Sequence, residues 1–500
     1  MITCGVSRLF RGGFAISVTG LAVLAVRAAL LPWLAVPEPS VPDEYSYLLM
    51  GDTFASGRLS NPAHPLWVHF ETIFVLHQPT YASVYPVAQG VILAAGKRLL
   101  GHPWLGVCLS VALMCGAICW MLQGWLPARW ALLGSFCSVL QLGPASYWMN
   151  SYWGGAHAAL GGALVIGALP RLAVRRKTRD SILLALGLCV LANSRPYEGA
   201  VVCLPALGFL LTRKLSWKWF WAPVALILAA NFALMGLYFS RVTGKFWKLP
   251  QQEYIEQYGA SATFLWQTAP PEPAFRHSAL QDFFLVQRAE ALAYQTTGGA
   301  AGATLGRFST VAGFYLGPLM LLPVLSIPLL RRKGKTRFLA LTAASVFFAI
   351  SLTGYHMKHY AAPMTCVLIA LAMQSLRYLS VLRRWGNPVS RLLLPVVPLI
   401  LMFHFYQQVA SSVARSAAPG RTAVEKQLRR QSGSHLVFVR YAQLHNVGTE
   451  WVYNAANIDG APIVWARDMG PERNRELIDY FPSRSAWLAS PEAPAPLRPY

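Results

Sequence analysis

Residues 39–54 read PSVPDEYSYLLMGDTF. The stretch starts where the first long apolar run stops, and it carries Pro42 and two adjacent acids, Asp43 and Glu44. Acids are scarce in this chain: 20 Asp and Glu stand against 43 Lys and Arg in 500 residues, a net charge of +23. An ionisable group at the edge of hydrocarbon is costly without a partner. Two of them side by side at the mouth of a membrane-length run therefore mark a place where charge is used.

Working outward, the composition sets the class. Hydrophobic residues make up 55% of the chain and charged residues 13%, against about 25% charged in an ordinary soluble domain. Such a chain cannot cover its surface with polar groups, and it has many apolar runs of about 18 residues or more, the length of a membrane span. The basic residues fall in short clusters between these runs, as the positive-inside rule expects. That pattern argues against a nucleic-acid-binding patch. All cysteines except Cys4 lie inside apolar runs, so no disulfide framework is indicated. Arg8 and Arg11 precede the run 14–36, which exceeds the ~7–15-residue core of a cleaved signal and reads as a retained anchor. Arg27 interrupts that run, either as a functional group or as a side chain snorkelling to the interface.

The chain reads as an all-α polytopic membrane protein with eleven spans: 14–36, 103–122, 129–147, 155–171, 181–194, 198–212, 218–240, 307–330, 338–354, 359–377 and 391–410. The basic segments RLAVRRKTR (171–179), RKLSWK (213–218), RRKGKTR (331–337) and RYLSVLRRWGNPVSR (377–391) belong on the cytoplasmic side. A cytoplasmic N-terminus and eleven spans place all four there and the C-terminus on the other side. A span at 84–100 would invert that arrangement, so this segment reads as a helix lying at the outer interface. The expected organisation is a membrane module over 1–410, with outer loops at 37–102 and 241–306. A small outer α/β domain follows over 411–500, with strands at HLVFVRYA and APIVWARDM, a helix at ERNRELIDYF, and a disordered or extended end at SPEAPAPLRPY.

With this topology the unusual polar motifs share the outer side. They are Asp43, Glu44, His64, His69 and Glu71 in the first loop, then YWMNSYWGGAH (147–157), NSRPYEG (193–199) and GYHMKHY (354–360). Four returns of the chain to one depth point to one site. An acid there suits general-base chemistry. Arg195, His356, Lys358 and His359 supply positive charge for a phosphate leaving group. Tyr152 and Trp153 offer flat faces for a sugar ring, and His157, Tyr197 and Glu198 complete the candidate binding set. His69 with Glu71 is a candidate for a divalent cation, although its spacing does not make a ligand set; no other cofactor is expected.

These residues resemble the GT-C superfamily of membrane glycosyltransferases, in which an Asp-Glu pair follows the first span in the first outer loop. The order of an interfacial segment, spans with basic inner loops and an outer C-terminal domain is similar to that of the protein O-mannosyltransferases, the aminoarabinose transferases and the families related to rhizobial lipopolysaccharide sugar transferases. The segment 64–101 resembles the one where many such proteins read HPPL, here altered to QPTYASVYP. The resemblance implies a hexosyl- or mannosyl-type transfer from a polyprenyl-phosphate sugar to a lipid, glycan or protein acceptor, at the outer face of a bacterial inner membrane. It implies Asp43 as the base that activates the acceptor and Glu44 as a group that orients the acceptor or a cation. Two other classes remain: a transporter or flippase of a lipid-linked or anionic substrate, for which no internal repeat is visible, and an assembly or sensor protein with the tail as its binding part.

Overall fold

The computed structural model describes residues 12–500 except 214, 331–332, 382, 385–386, 389, 415–419, 444, 447 and 494–495. Cys4, Arg8, Arg11 and parts of the predicted basic clusters lie outside the described residues.

A helix stands at each of the eleven predicted spans. Among the described residues five segments are long and apolar enough to cross a membrane: Pro103–Trp125, Ala156–Val174, Trp217–Thr243, Lys358–Leu379 and Pro395–Ala414. Gly13–Ala29 and Pro196–Leu211 are apolar but shorter. The boundaries move where local chemistry dictates. The expected run 307–330 is instead a helix over Thr297–Leu316 followed by 3-10 pieces at Gly317–Leu319 and Leu322–Leu329. Gly317, at φ 52°, ends the helix, and Pro318, Pro323 and Pro328 prevent a regular ladder from resuming. The segment 84–100 forms a helix, Val87–Leu100. At 1.5 Å per residue it is about 21 Å long, too short for a hydrocarbon core of about 30 Å.

The first helix stops at Ala29 because Arg27 draws the chain after it back toward the bundle. This guanidinium is buried, donates to the carbonyls of Leu34 and Ala35 at 2.8 and 2.9 Å and to Asn150 Oδ1 at 3.1 Å, and lies 4.6 Å from the Trp104 ring. Neither sequence expectation for Arg27 holds: it is a structural clamp tying the start of the first loop to the turn 143–155.

Small residues set the helix spacing, as they do where apolar packing gives no drive for association. Gly161 and Gly187 face one another across the contact of Ala156–Val174 with Thr178–Ala192, and a Cβ on either would stand about 3 Å from the other's carbonyl oxygen. A Cβ on Gly162 would sit 1.9 Å from the Pro363 carbonyl oxygen. That close approach brings the turn carrying His359 against the helix carrying His157.

The C-terminal segment is α/β, as expected. Its sheet has the spatial order Ile463–Arg467, Ser434–Val439, Arg484–Ala489, Leu497–Pro499, with two parallel pairings and one antiparallel. The helices Gly420–Leu428 and Pro471–Tyr480 accompany it. The strand Arg484–Ala489 was not foreseen, and the terminus forms an edge strand. The sheet is not a separate appendage. Leu436, Phe438, Tyr453 and Val464 share a core with Tyr45, Leu49, Phe70 and Tyr81 of the first loop.

Arg27→Ala would leave the buried Leu34 carbonyl, the Ala35 carbonyl and Asn150 Oδ1 without this donor. It is expected to cost roughly 2–4 kcal/mol, read as a lower thermal midpoint of the protein in detergent; an unchanged midpoint would contradict the clamp.

Candidate functional site

Pro42 opens the helix Pro42–Ala55, and Asp43 and Glu44 occupy its first turn, where the helix dipole favours acids. Successive residues on a helix point about 100° apart, so the two carboxylates part company. Glu44 is buried and fully engaged. One oxygen accepts from the backbone N–H of Ser40 at 2.8 Å, from that of Val41 at 3.3 Å and from the Ser40 hydroxyl at 3.3 Å. The other accepts from the Tyr152 N–H at 2.8 Å. Glu44 therefore braces the loop against the turn 147–157 and has no free face for a ligand.

Asp43 is half-buried and accepts a short hydrogen bond from the Tyr85 hydroxyl. Burial pushes its carboxyl up to about 6, opposed by the Tyr85 hydrogen bond and the charge of Arg195. It is a carboxylate at neutral pH, poised within reach of a proton. Tyr85 stacks on Tyr47 with ring centroids 4.4 Å apart, and Tyr47 stands one turn after Asp43 on the same helix.

The other returns of the chain arrive opposite. Arg195 caps the start of Pro196–Leu211, and its guanidinium lies 4.3 Å from the Tyr360 ring. Tyr360 is within electrostatic reach of Arg195, Glu198 and Asp43. The buried His359 pairs its Nδ1 with the Tyr147 hydroxyl at 3.1 Å and packs its ring 4.9 Å from Trp153. Lys358 Nζ lies over the Tyr147 and Phe314 rings at 5.1 and 5.5 Å. His157 is buried within electrostatic reach of His359 and Arg195. The turn before it needs glycine twice: a Cβ on Gly154 would meet His157, and Gly155 at φ 153° lies against the Trp148 indole.

Asp43, Arg195, Glu198, His157, His356, Lys358, His359 and Trp153 are thus brought to one region. Two expected members face elsewhere. Tyr152 is held by its main chain to Glu44 and Gln89 and donates its hydroxyl to the Pro37 carbonyl at 3.1 Å. Tyr197 donates to the Ala349 carbonyl at 3.1 Å and packs on Phe264. Not every expected charge is present. Burial, with Arg307 and Arg195 nearby, pulls His356 down to about 4, so this ring is neutral at pH 7 and offers hydrogen bonds. The formal cations of the region are Arg195 and Lys358.

The expected cation pair does not converge. Glu71 is fully buried and accepts from the Tyr258 hydroxyl at 2.6 Å and from Arg276 at 3.2 Å, while His69 Nε2 faces Glu476 at 3.8 Å. His64 bonds Asp459 at 3.1 Å. Among the described residues no three His, Cys, Asp or Glu side chains gather as a metal site.

Tyr47, Tyr85 and Tyr360 were missed from the sequence. Tyr47 carried a signal, its i+4 spacing from Asp43. Tyr85 carried none, since its partner is 42 residues away.

No family model and no curated protein sequence matches this chain. Solved structures do. ArnT from Cupriavidus metallidurans bound to undecaprenyl phosphate superposes with a TM-score of 0.57 at 13% identity, covering 94% of this chain and 92% of that one. The apo state of the same protein gives 0.56 at 14% identity, over 94% and 93%. The Archaeoglobus fulgidus oligosaccharyltransferase in complex with Zn and sulfate gives 0.48 at 11% identity, over 94% and 67%. ArnT, an aminoarabinose transferase, is a GT-C glycosyltransferase, and this chain shares its membrane fold.

The raised carboxyl of Asp43 sets the sign of a stability effect. The folded group holds its proton more tightly than the unfolded one, whose ordinary value is near 4. Its contribution to stability is therefore complete below about pH 4 and is lost as pH rises through about 6. Asp43→Asn removes the buried charge and is expected to gain about 1–3 kcal/mol at pH 7.5. Thermal midpoints measured across pH 4–8 should show that advantage shrinking toward the acid end.

Proposed function

We propose that this protein, carrying the GT-C fold, is an integral-membrane glycosyltransferase. It moves a sugar from a polyprenyl-phosphate donor to a lipid, glycan or protein acceptor at the outer face of a bacterial inner membrane. In this reading all eleven helical segments act as spans, the N-terminus is cytoplasmic, and residues 411–500 form a small periplasmic domain on the module 1–410. The observation that carries it is a carboxylate, Asp43, ionised near neutral pH and set opposite Arg195 where four returns of a membrane-embedded chain meet. The binding of undecaprenyl phosphate by the ArnT neighbour supports a donor of that class.

The chemistry follows from the charges. An acceptor hydroxyl or amine attacks the anomeric carbon and passes its proton to Asp43. The bond from that carbon to the phosphate oxygen breaks on the opposite side, and polyprenyl phosphate departs with the electron pair. The sugar is transferred with inversion. Arg195, with Lys358 beside it, meets the charge developing on the leaving phosphate, and neutral His356 donates a hydrogen bond. Trp153 offers the flat face for a sugar ring. Tyr85 orients Asp43 and holds its affinity for a proton down, and Glu44 acts as a positioning residue through the loop it braces. A cation held by His69 and Glu71 has no place in this scheme, because those side chains turn to separate partners.

Lipid-linked glycans compared between cells with and without the protein would identify donor and product. With that assay in hand, Asp43→Asn is expected to lower transfer at least 10²-fold while the protein inserts and folds normally. Normal product from this variant would falsify Asp43 as the base. Arg195→Ala is expected to lose roughly 10²–10³-fold, with part recovered in Arg195→Lys.

The pH profile of transfer offers an independent check. Its acid limb should fall near 6, where Asp43 takes up its proton. Tyr85→Phe removes a hydrogen bond to the ionised form and should move that limb upward by about one unit. A limb that stays in place would separate Tyr85 from the reacting carboxylate.

A further inference from the structure

The bundle has a second polar end, remote from Asp43. The helix Ala156–Val174 begins at the site with His157 and reaches Arg171, 14 residues farther on, about 21 Å along its axis. A cavity of about 610 Å³ opens there. Its walls come from three parts of the chain: the start of the first helix at Gly12 and Gly13, Trp120 and Gln123 of Pro103–Trp125, and the connection between Ala156–Val174 and Thr178–Ala192.

Three guanidinium groups face this space: Arg171, Arg175 and Arg179. Arg171 is fixed. It donates to the Gly167 carbonyl at 2.6 Å and the Trp120 carbonyl at 2.7 Å, and its Cζ lies 4.0 Å from the Trp120 ring centroid. These bonds use two of its donors and leave others for a ligand. Arg175 and Arg179 are exposed and lie within electrostatic reach of Arg171. Asp180 is the one acid acting on Arg171; it is buried and forms no ion pair among the described residues. Three cations against one acid leave a charge of +2 at the cavity. The first helix adds to it. Its first turn carries no acid and no side-chain cap, so its N-terminal amide groups present partial positive charge at the rim. Ile16, Leu126 and Leu183 supply apolar wall beside the arginines.

Positive charge from one fixed and two exposed guanidinium groups, a helix N-terminus without an acid in its first turn and an adjoining apolar wall match a phosphate that carries hydrocarbon. We propose that this cavity binds the headgroup of an anionic phospholipid from the leaflet that the basic loops face. The headgroup phosphate sits between Arg171 and the exposed Arg175 and Arg179, and an acyl chain follows Ile16 and Leu183 into the membrane. The site rests on this geometry alone and is independent of sugar transfer.

The test uses the full chain purified in detergent, with phosphatidylglycerol, phosphatidylcholine or inorganic phosphate added. Phosphatidylglycerol should raise the thermal midpoint and persist as a one-to-one adduct in native mass spectrometry. Phosphatidylcholine and inorganic phosphate should do neither. The double variant Arg175→Ala/Arg179→Ala changes exposed side chains and should keep the lipid-free midpoint, while its phosphatidylglycerol adduct falls about ten-fold. An equal effect of inorganic phosphate would overturn the lipid assignment in favour of a free-anion site. Equal adducts with both lipids, or in variant and wild type, would overturn the site itself.

Discussion

The Glu44 carboxylate holds together the end of the molecule where the polar turns meet. It is buried at 2% exposure, and both of its oxygens are engaged by groups from the loop before it and from the turn at Tyr152. A buried carboxylate without donors is strongly unfavourable, so this cluster forms as a unit or not at all. Its consequence is positional. The helix Pro42–Ala55 is pinned at its first turn against the bundle, and Asp43, one residue away, is presented toward the returns that carry Arg195 and Tyr360. The two acids share a sequence motif but divide: Glu44 is a brace, and Asp43 is the group to which the proposed scheme gives the proton.

The same helix is held from its other face. Tyr45 stacks on Tyr453 at 4.6 Å with the rings 5° from parallel, and Arg421 lies between the Tyr45 and Trp465 rings. Asp52 accepts from the Ala456 N–H at 2.9 Å and pairs with Lys97 at 2.5 Å. Behind this contact a buried network runs from Arg467 to the Glu71 carbonyl and to Glu450. The C-terminal sheet is thereby a wall of the first loop. The tail therefore packs on the same helix that carries Asp43.

Much of this was legible because a membrane restricts what a chain can do. Polar groups must gather at span ends or in cavities, so the three distant motifs at 147–157, 193–199 and 354–360 could be assigned to one region with no knowledge of packing. Helix positions followed from hydropathy for the same reason. What stayed hidden depends on side-chain direction and burial. Adjacency concealed that Glu44 turns inward and Asp43 outward. His356 looked like a cation until its surroundings removed its charge. Arg27 read as a functional group or a snorkelling side chain because only the folded turn reveals the carbonyls it serves. His69 and Glu71 are neighbours in sequence whose short 3-10 turn, ending at Phe70, sends them to different partners.

The aromatic residues explain how opposite charges coexist here without collapsing into a salt bridge. Asp43 and Arg195 act on one another electrostatically, yet no ion pair joins them among the described residues. Tyr85 occupies the carboxylate, and the Tyr360 ring occupies the guanidinium. Each charge is thus partly satisfied by a group that does not neutralise it. A direct ion pair would pull the carboxyl well below its ordinary range and leave a weaker base. Burial outweighs the Tyr85 hydroxyl and a backbone N–H donor and holds Asp43 near 6, where proton acceptance is most useful. The rings therefore keep the Asp43 carboxylate and the Arg195 guanidinium apart, and the proposed transfer puts a sugar joined to phosphate in that gap.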